Sequence, residues 1–211
     1  PTVQPQAAVQ KVKAQAVGHD PGGEILAPAH QLIGGDALVH LGAQGVEFRL
    51  QRCGQAQLVP NLQIPAAYHI EYTVDEAMNV IMRKPATAGY EQHEGVILQA
   101  HMDMVCEKNS DVQHDFYKDP ILTYVDGEWL KAKGTTLGAD NGIGIAMALA
   151  VMTDDTLQHP ALECLFTVDE ETGLTGAFKL QDGYLNGKRL INLDSEDDGQ
   201  IFIGCAGGIE I

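Results

Sequence analysis

The sequence predicts an α/β fold in which a largely parallel or mixed sheet is flanked by helices. Two largely apolar runs, at 95–100 and 162–168, have the character of strands that are buried on both faces. Between them, residues 141–152 place apolar side chains at helical spacing. Strands that alternate with helices usually form a parallel sheet covered on both faces. The apolar fraction of 45% is sufficient for the core of one such domain.

Residues 1–69 differ in character from the rest and are expected to form a separate, atypical segment. Its four Lys and Arg residues balance its four Asp and Glu residues, so residues 70–211 carry the whole net charge of −16. Six of the nine prolines also fall in it and interrupt any helical or strand period. A strand pair is expected within 36–50. The role of the segment is uncharacterised, and disorder or a misread sequence are open alternatives.

From residue 71 onward, the sequence predicts helices and strands that follow one another closely. The predicted helices are 141–152, which Asp140 or Asn141 suits as N-cap, and 175–180. The Asp126-Gly127 pair is typical of a hairpin turn. The predicted strands are 72–74, 79–83, 95–100, 121–125, 128–132, 162–168, 190–193 and 201–203.

The net charge and the pattern of apolar residues argue against nucleic-acid and membrane partners. A net charge of −16 argues against nucleic acid, whose phosphates it would repel. No apolar run approaches the roughly 18 residues that a membrane-spanning helix requires. No basic region followed by an apolar stretch marks a signal peptide. A cytoplasmic protein with neither a nucleic-acid partner nor a membrane partner is therefore expected.

Histidine and carboxylate side chains recur where apolar runs end. One further carboxylate lies in the Gly-rich turn before the long predicted helix. In open α/β sheets, ligands bind at the carboxyl ends of strands. Carboxylates repel one another, so gathering many of them favours a site that holds divalent metal ions. The candidate residues are His101, Asp103, Asp140, Glu170, Glu171 and Asp194.

Taken alone, each of these segments also has a purely structural interpretation. His101 is typical of a polar residue that emerges from the core, and Asp140 suits a turn or a helix cap. Glu170 and Glu171 suit a solvated pair, and the acidic run that begins at Asp194 suits a surface loop. Their order and their shared position at strand ends favour a two-metal hydrolase instead.

Four longer motifs make the chain similar to a known family. They occupy 79–89, 98–105, 133–144 and 204–208, and include Gly-Thr-Thr-Leu-Gly-Ala-Asp-Asn-Gly at 134–142. Over residues 70–211 the sequence resembles the aminoacyl-histidine dipeptidases (Xaa-His dipeptidases, peptidase D), a branch of the co-catalytic zinc exopeptidases. The resemblance implies a metallopeptidase, a hydrolase of peptide bonds.

The resemblance also implies a metal centre with two divalent ions, zinc first, with cobalt or manganese as alternatives. Asp140 would be the carboxylate that bridges the two ions. His101 and Asp194 would complete the protein ligands of one ion, and Glu171 would bind the other.

The catalytic roles implied by the family fall on two further residues. Glu170 would be the general base, and Asp103 would orient the imidazole of His101 through its second nitrogen. The substrate would be a small dipeptide with a C-terminal histidine, and the full-length protein would be a homodimer.

The family further implies that residues 70–211 correspond to the first segment of an incomplete zinc-exopeptidase-like catalytic domain. In the family, a lid domain and a C-terminal catalytic part follow this segment, and neither is present in these 211 residues. An inactive fragment, or a non-catalytic module for metal binding or interaction, is therefore the alternative to an active dipeptidase.

Overall fold

The computed structural model describes residues 12–13, 38–41, 46–49, 69–127, 129–195 and 200–204. Most of the atypical segment and the 205–208 part of the last motif lie outside the described residues. The elements, in chain order, are β1 (Val12–Lys13), β2 (Leu38–Leu41), β3 (Val46–Arg49), β4 (Glu71–Val74), β5 (Val80–Lys84), β6 (Val96–His101), β7 (Thr123–Asp126), β8 (Trp129–Ala132), α1 (Ala139–Thr153), β9 (Leu162–Thr167), α2 (Thr175–Lys179) and β10 (Arg189–Asn192).

The main sheet is mixed, and its strands lie in the order β10-β6-β9-β5-β4. Strands β10, β6 and β9 are parallel, whereas β5 and β4 are antiparallel to their neighbours. The register pairs His101 with Thr167 and Asn192 with Gln99. The carboxyl ends of the three parallel strands therefore meet at one edge, and the predicted fold class is confirmed.

Apolar side chains cover both faces of this sheet. On one face, Met82 and Phe166 pack in a cluster with Leu149 and Met152 of α1. Strand β9 is buried along its whole length, which explains why four of its six residues are apolar. The other face carries a smaller cluster, formed by Ile81, Ile97 and Leu165 with Leu180, Tyr184 and Leu185.

One carboxylate is buried inside β9, near its amino end. The side chain of Glu163 is 6% exposed and lies 3.4 Å from Nε of Arg83. Its Oε2 atom also accepts the backbone N–H groups of Asn186 at 2.8 Å and Gly187 at 2.7 Å. These bonds compensate the buried charge and fix the turn that leads into β10.

Two smaller antiparallel sheets accompany the main one. Strands β7 and β8 form the hairpin predicted around Asp126-Gly127, and β1 pairs with β8. Strands β2 and β3 pair with each other, which confirms the strand pair expected within 36–50. Neither described helix is long and apolar enough to cross a bilayer.

The expectation of a strand at 201–203 is wrong. These residues have no strand assignment, and the exposed fractions of Ile201 and Ile203 are 92% and 101%. An apolar segment becomes a strand only when a neighbour supplies hydrogen bonds and covers one face. Among the described residues, β10 is hydrogen-bonded to β6 alone, and 201–203 has no strand partner.

Candidate metal centre

His101 is the last residue of β6 and lies at the edge where the parallel strands end. Its side chain is 1% exposed, although it is a polar residue. The Nε2 atom lies 3.0 Å from Oδ1 of Asp140 and 3.7 Å from Oδ1 of Asp194. The imidazole is thus buried with its Nε2 edge turned toward two carboxylates.

Asp140 reaches His101 because the backbone departs from helical geometry at the start of α1. Asp140 and Asn141 have ψ angles of 110° and 34°, outside the helical range, and the peptide bond that joins them is cis. The expected capping role is not observed, since no side-chain hydrogen bond caps α1 and Gly138 occupies the N-cap position. Both side chains serve the neighbouring carboxylate cluster instead.

Asp194 follows β10 and is held in place by Asn141. The Nδ2 atom of Asn141 donates to Oδ1 of Asp194 at 2.7 Å and to the carbonyl oxygen of Leu193 at 2.9 Å. A Cβ atom on Gly144, one helical turn further along, would lie 2.2 Å from Oδ1 of Asn141. The absence of a side chain at Gly144 therefore leaves the space in which Asn141 lies.

Glu170 and Glu171 follow β9 and are held through their backbone. Asp103 accepts the N–H of Glu170 on Oδ1 and the N–H of Glu171 on Oδ2, each at 3.0 Å. The Nδ1 atom of His101 lies 2.9 Å from the carbonyl oxygen of Asp103 and 3.4 Å from its Oδ1 atom. Asp103 therefore links the imidazole to the segment that carries the two glutamates.

The crowding of charge shifts the pKa values of these groups. Burial acts to lower the pKa of His101, but its contact with Asp103 and the charge of Asp194 outweigh burial and raise the pKa to about 9. Burial, together with the charge of Asp140, raises the pKa of Glu171. Burial also raises the pKa of Asp194. A divalent cation would relieve the repulsion among these carboxylates.

Two groups of side chains are spaced closely enough to hold a metal ion. His101, Asp140 and Asp194 form one trio and His101, Glu170 and Glu171 the other, with ligand atoms in each trio within 4.8 Å of one another. Nitrogen and carboxylate donors suit zinc and related ions. Oε1 of Glu171 is buried and has no hydrogen-bond partner among the described residues, which fits a metal ligand.

Comparison with known proteins identifies the family. A model of peptidase family M20/M25/M40 matches residues 97–205, which is more than half of the chain. The chain belongs to this family. The resemblance read from the four motifs is thereby confirmed.

Two of the proteins to which this chain is similar are named as dipeptidases. The chain is 57% identical over 143 residues to the cytosol non-specific dipeptidase of Escherichia coli (strain K12), covering 68% of this chain and 29% of that protein. It matches the crystal structure of the aminoacylhistidine dipeptidase from Vibrio alginolyticus with a TM-score of 0.69 and 46% identity, covering 74% of this chain and 32% of the other.

A more distant structure shares the fold. The match to a tripeptidase from Staphylococcus aureus subsp. aureus mu50 has a TM-score of 0.57 at 22% identity, and covers 71% of this chain and 41% of that one. Across the two dipeptidases, this M20 chain spans about a third of the relatives' length.

The structure brings all six candidate residues to one edge of the sheet, and it adds one that the sequence did not single out. Asn141 had been considered only as a helix cap. The signal that could have identified it is the Gly-x-Gly spacing of Gly142 and Gly144 directly after it, because small residues permit close approach.

We predict that Asp103→Asn destabilises the M20 chain even without metal. An amide offers one acceptor oxygen where two backbone N–H groups need acceptors, so one partly buried donor is left unpaired. We expect the free energy of unfolding in urea to fall by about 1–3 kcal/mol. Asp115→Asn is the control, because Asp115 also accepts a backbone N–H, from Tyr117, but in an exposed turn. Equal losses in the two variants would contradict the role of Asp103 in holding the backbone of the two glutamates.

Proposed function

We propose that residues 70–211 form the metal-binding catalytic segment of a dipeptidase that hydrolyses dipeptides, Xaa-His among them. The observation that supports this most strongly is the pair of donor trios that share His101, in a chain of the M20 family. Residues 1–69 are proposed to be an atypical segment that precedes the catalytic unit, although its β1 pairs with β8. In the full-length protein, a homodimer in the cytoplasm is the proposed state.

The metal ligands are proposed to divide between two ions. Asp140 would bridge them, His101 and Asp194 would complete one set of ligands, and Glu171 would bind the second ion. Zinc is the first choice, and cobalt or manganese suit the same donors. Two such ions would supply an activated water and would polarise the scissile carbonyl.

Glu170 is the proposed general base. It accepts the proton of the attacking water on a carboxylate oxygen and passes it to the leaving amine when the peptide bond breaks. Its neighbour Glu171 takes a different role because its Oε1 atom is buried, whereas no such buried, unpaired oxygen occurs on Glu170. Asp103 holds the backbone of both glutamates and contacts the imidazole of His101.

The choice of substrate rests on the relatives. Both are named as dipeptidases, and one name specifies aminoacyl-histidine substrates whereas the other denotes non-specific action. The broader proposal is therefore that the substrate is a dipeptide, and the narrower proposal is that its C-terminal residue is histidine. A measurement on matched dipeptides separates the two.

A second function requires only the two donor trios that share His101, because metal binding by itself does not require a general base. The alternative is an inactive or non-catalytic module that binds metal without hydrolysing peptides.

We predict that the full-length protein containing residues 70–211 binds two zinc ions and cleaves Xaa-His dipeptides. Metal content is measured by mass spectrometry after dialysis against zinc, and hydrolysis is compared for Ala-His and Ala-Ala. A chelator should remove both the metal and the activity. Zinc bound without turnover would establish the non-catalytic alternative, and no bound zinc would contradict both functions.

We predict that Glu170→Gln retains zinc but loses turnover. The amide cannot accept a proton, so kcat should fall by about 10²–10⁴-fold while the zinc content is unchanged. The matched control is Glu171→Gln, which should lower the affinity for zinc because it replaces a proposed ligand. Normal kcat in Glu170→Gln would remove Glu170 from the proposed mechanism.

A further inference from the structure

The two glutamates of the metal centre lie on a short loop with a closed neck. The loop spans 168–176, and its ends are joined by a bond from the N–H of Gly176 to the carbonyl oxygen of Val168 at 3.1 Å. Within the loop, the N–H groups of Gly173 and Leu174 donate to the carbonyl oxygen of Glu170 at 3.2 and 3.1 Å. We call 168–176 the glutamate loop.

Asn79 binds both ends of the glutamate loop from another part of the chain. Its Oδ1 atom accepts the N–H of Val168 at 3.2 Å, and its Nδ2 atom donates to the carbonyl oxygen of Gly176 at 2.9 Å. Asn79 is 0% exposed and lies in the turn between β4 and β5. Its amide therefore closes the neck alongside the backbone bond.

Asp75 fixes the orientation of this amide. Nδ2 of Asn79 donates to Oδ2 of Asp75 at 2.7 Å, and the backbone N–H of Asn79 donates to Oδ1 of Asp75 at 2.8 Å. Both hydrogens on Nδ2 and the Oδ1 acceptor are thus used. A side chain that only accepts or only donates could not replace these contacts.

The neck is too tight to admit another side chain. A Cβ atom on Gly176 would lie 2.4 Å from Oδ1 of Asn79 and 2.5 Å from the carbonyl oxygen of Val168. Atoms at these distances clash, so the close approach of Asn79 requires glycine at 176. The loop and Asn79 are consequently packed as one unit.

We propose that Asn79 is a positioning residue for Glu170 and Glu171. This inference rests on the proposed function, because it assigns Asn79 a role in presenting those two side chains to metal and water. Asp103 holds the loop at the backbone of the two glutamates, and Asn79 holds it at the neck. With both attachments the carboxylates keep a fixed direction toward His101 before metal binds.

Asn79→Asp tests the proposal. The variant is nearly isosteric, but it faces the carbonyl oxygen of Gly176 and the carboxylate of Asp75 with an oxygen in place of an N–H donor. Two readouts are measured on the 211-residue chain: hydrogen exchange at the amides of Glu170 and Glu171 without metal, and zinc affinity by calorimetry.

Glu163→Gln is the matched control. It weakens another buried set of hydrogen bonds, at the end of β9 opposite to the metal centre. We expect both variants to melt at lower temperature. Only Asn79→Asp should accelerate exchange at the two glutamate amides and weaken zinc binding, by about 10–100-fold.

The outcomes separate this proposal from the proposed function. If exchange at the glutamate amides is no faster in Asn79→Asp than in Glu163→Gln, the positioning role is wrong, whatever the zinc affinity. If the unmodified chain binds no zinc, the proposed function fails and hydrogen exchange alone decides the role of Asn79. If Asn79→Asp does not fold, Gly176→Ala opens the same neck from its other side and is judged by the same criteria.

Discussion

The buried imidazole of His101 is the group on which the arrangement of the site depends. It belongs to both trios of donor atoms, and it is 1% exposed at the end of β6. Its carboxylate neighbours come from the segments that follow β9 and β10 and from the first turn of α1. Their convergence requires the three parallel strands to end at the same edge, which the register between β6 and its two neighbours provides.

Behind the carboxylates lies a set of polar side chains that bind backbone. Asp103 holds the amides of Glu170 and Glu171, and Asn141 holds the backbone beside Asp194. Like charges repel, so carboxylates at this spacing need support from neutral donors as well as from a cation. Asp103 and Asn141 bind the backbone of the segments that carry the carboxylates, so these segments are held in position by the fold itself.

The sequence predicts the strands that position the site because their signals are local. Strands β6 and β9 are recognisable as predominantly apolar runs, and the polar residues that follow them mark the edge of the sheet. The family motifs imply the proposed roles of Asp140 and Glu171. The strand expected at 201–203 does not form, because strand formation depends on a partner that the apolar pattern of a single segment does not reveal.

The hydrogen bonds that hold the site could not be predicted in the same way. Asn79 and Gly176 are 97 positions apart, Asp103 and Glu170 are 67 apart, and Asn141 and Asp194 are 53 apart. Each bond depends on tertiary structure that no local period encodes. In isolation, a buried Asn after a turn and a Gly in a loop are ordinary features of any α/β domain.

The strand ends of this M20 segment are proposed to form a two-metal centre. An anomalous diffraction map of the zinc-soaked chain tests this proposal most directly. We expect two peaks about 3.5–4 Å apart, one beside His101 and Asp194 and the other beside Glu171, with Asp140 between them. A single peak away from Asp140, or no peak among these residues, would contradict it.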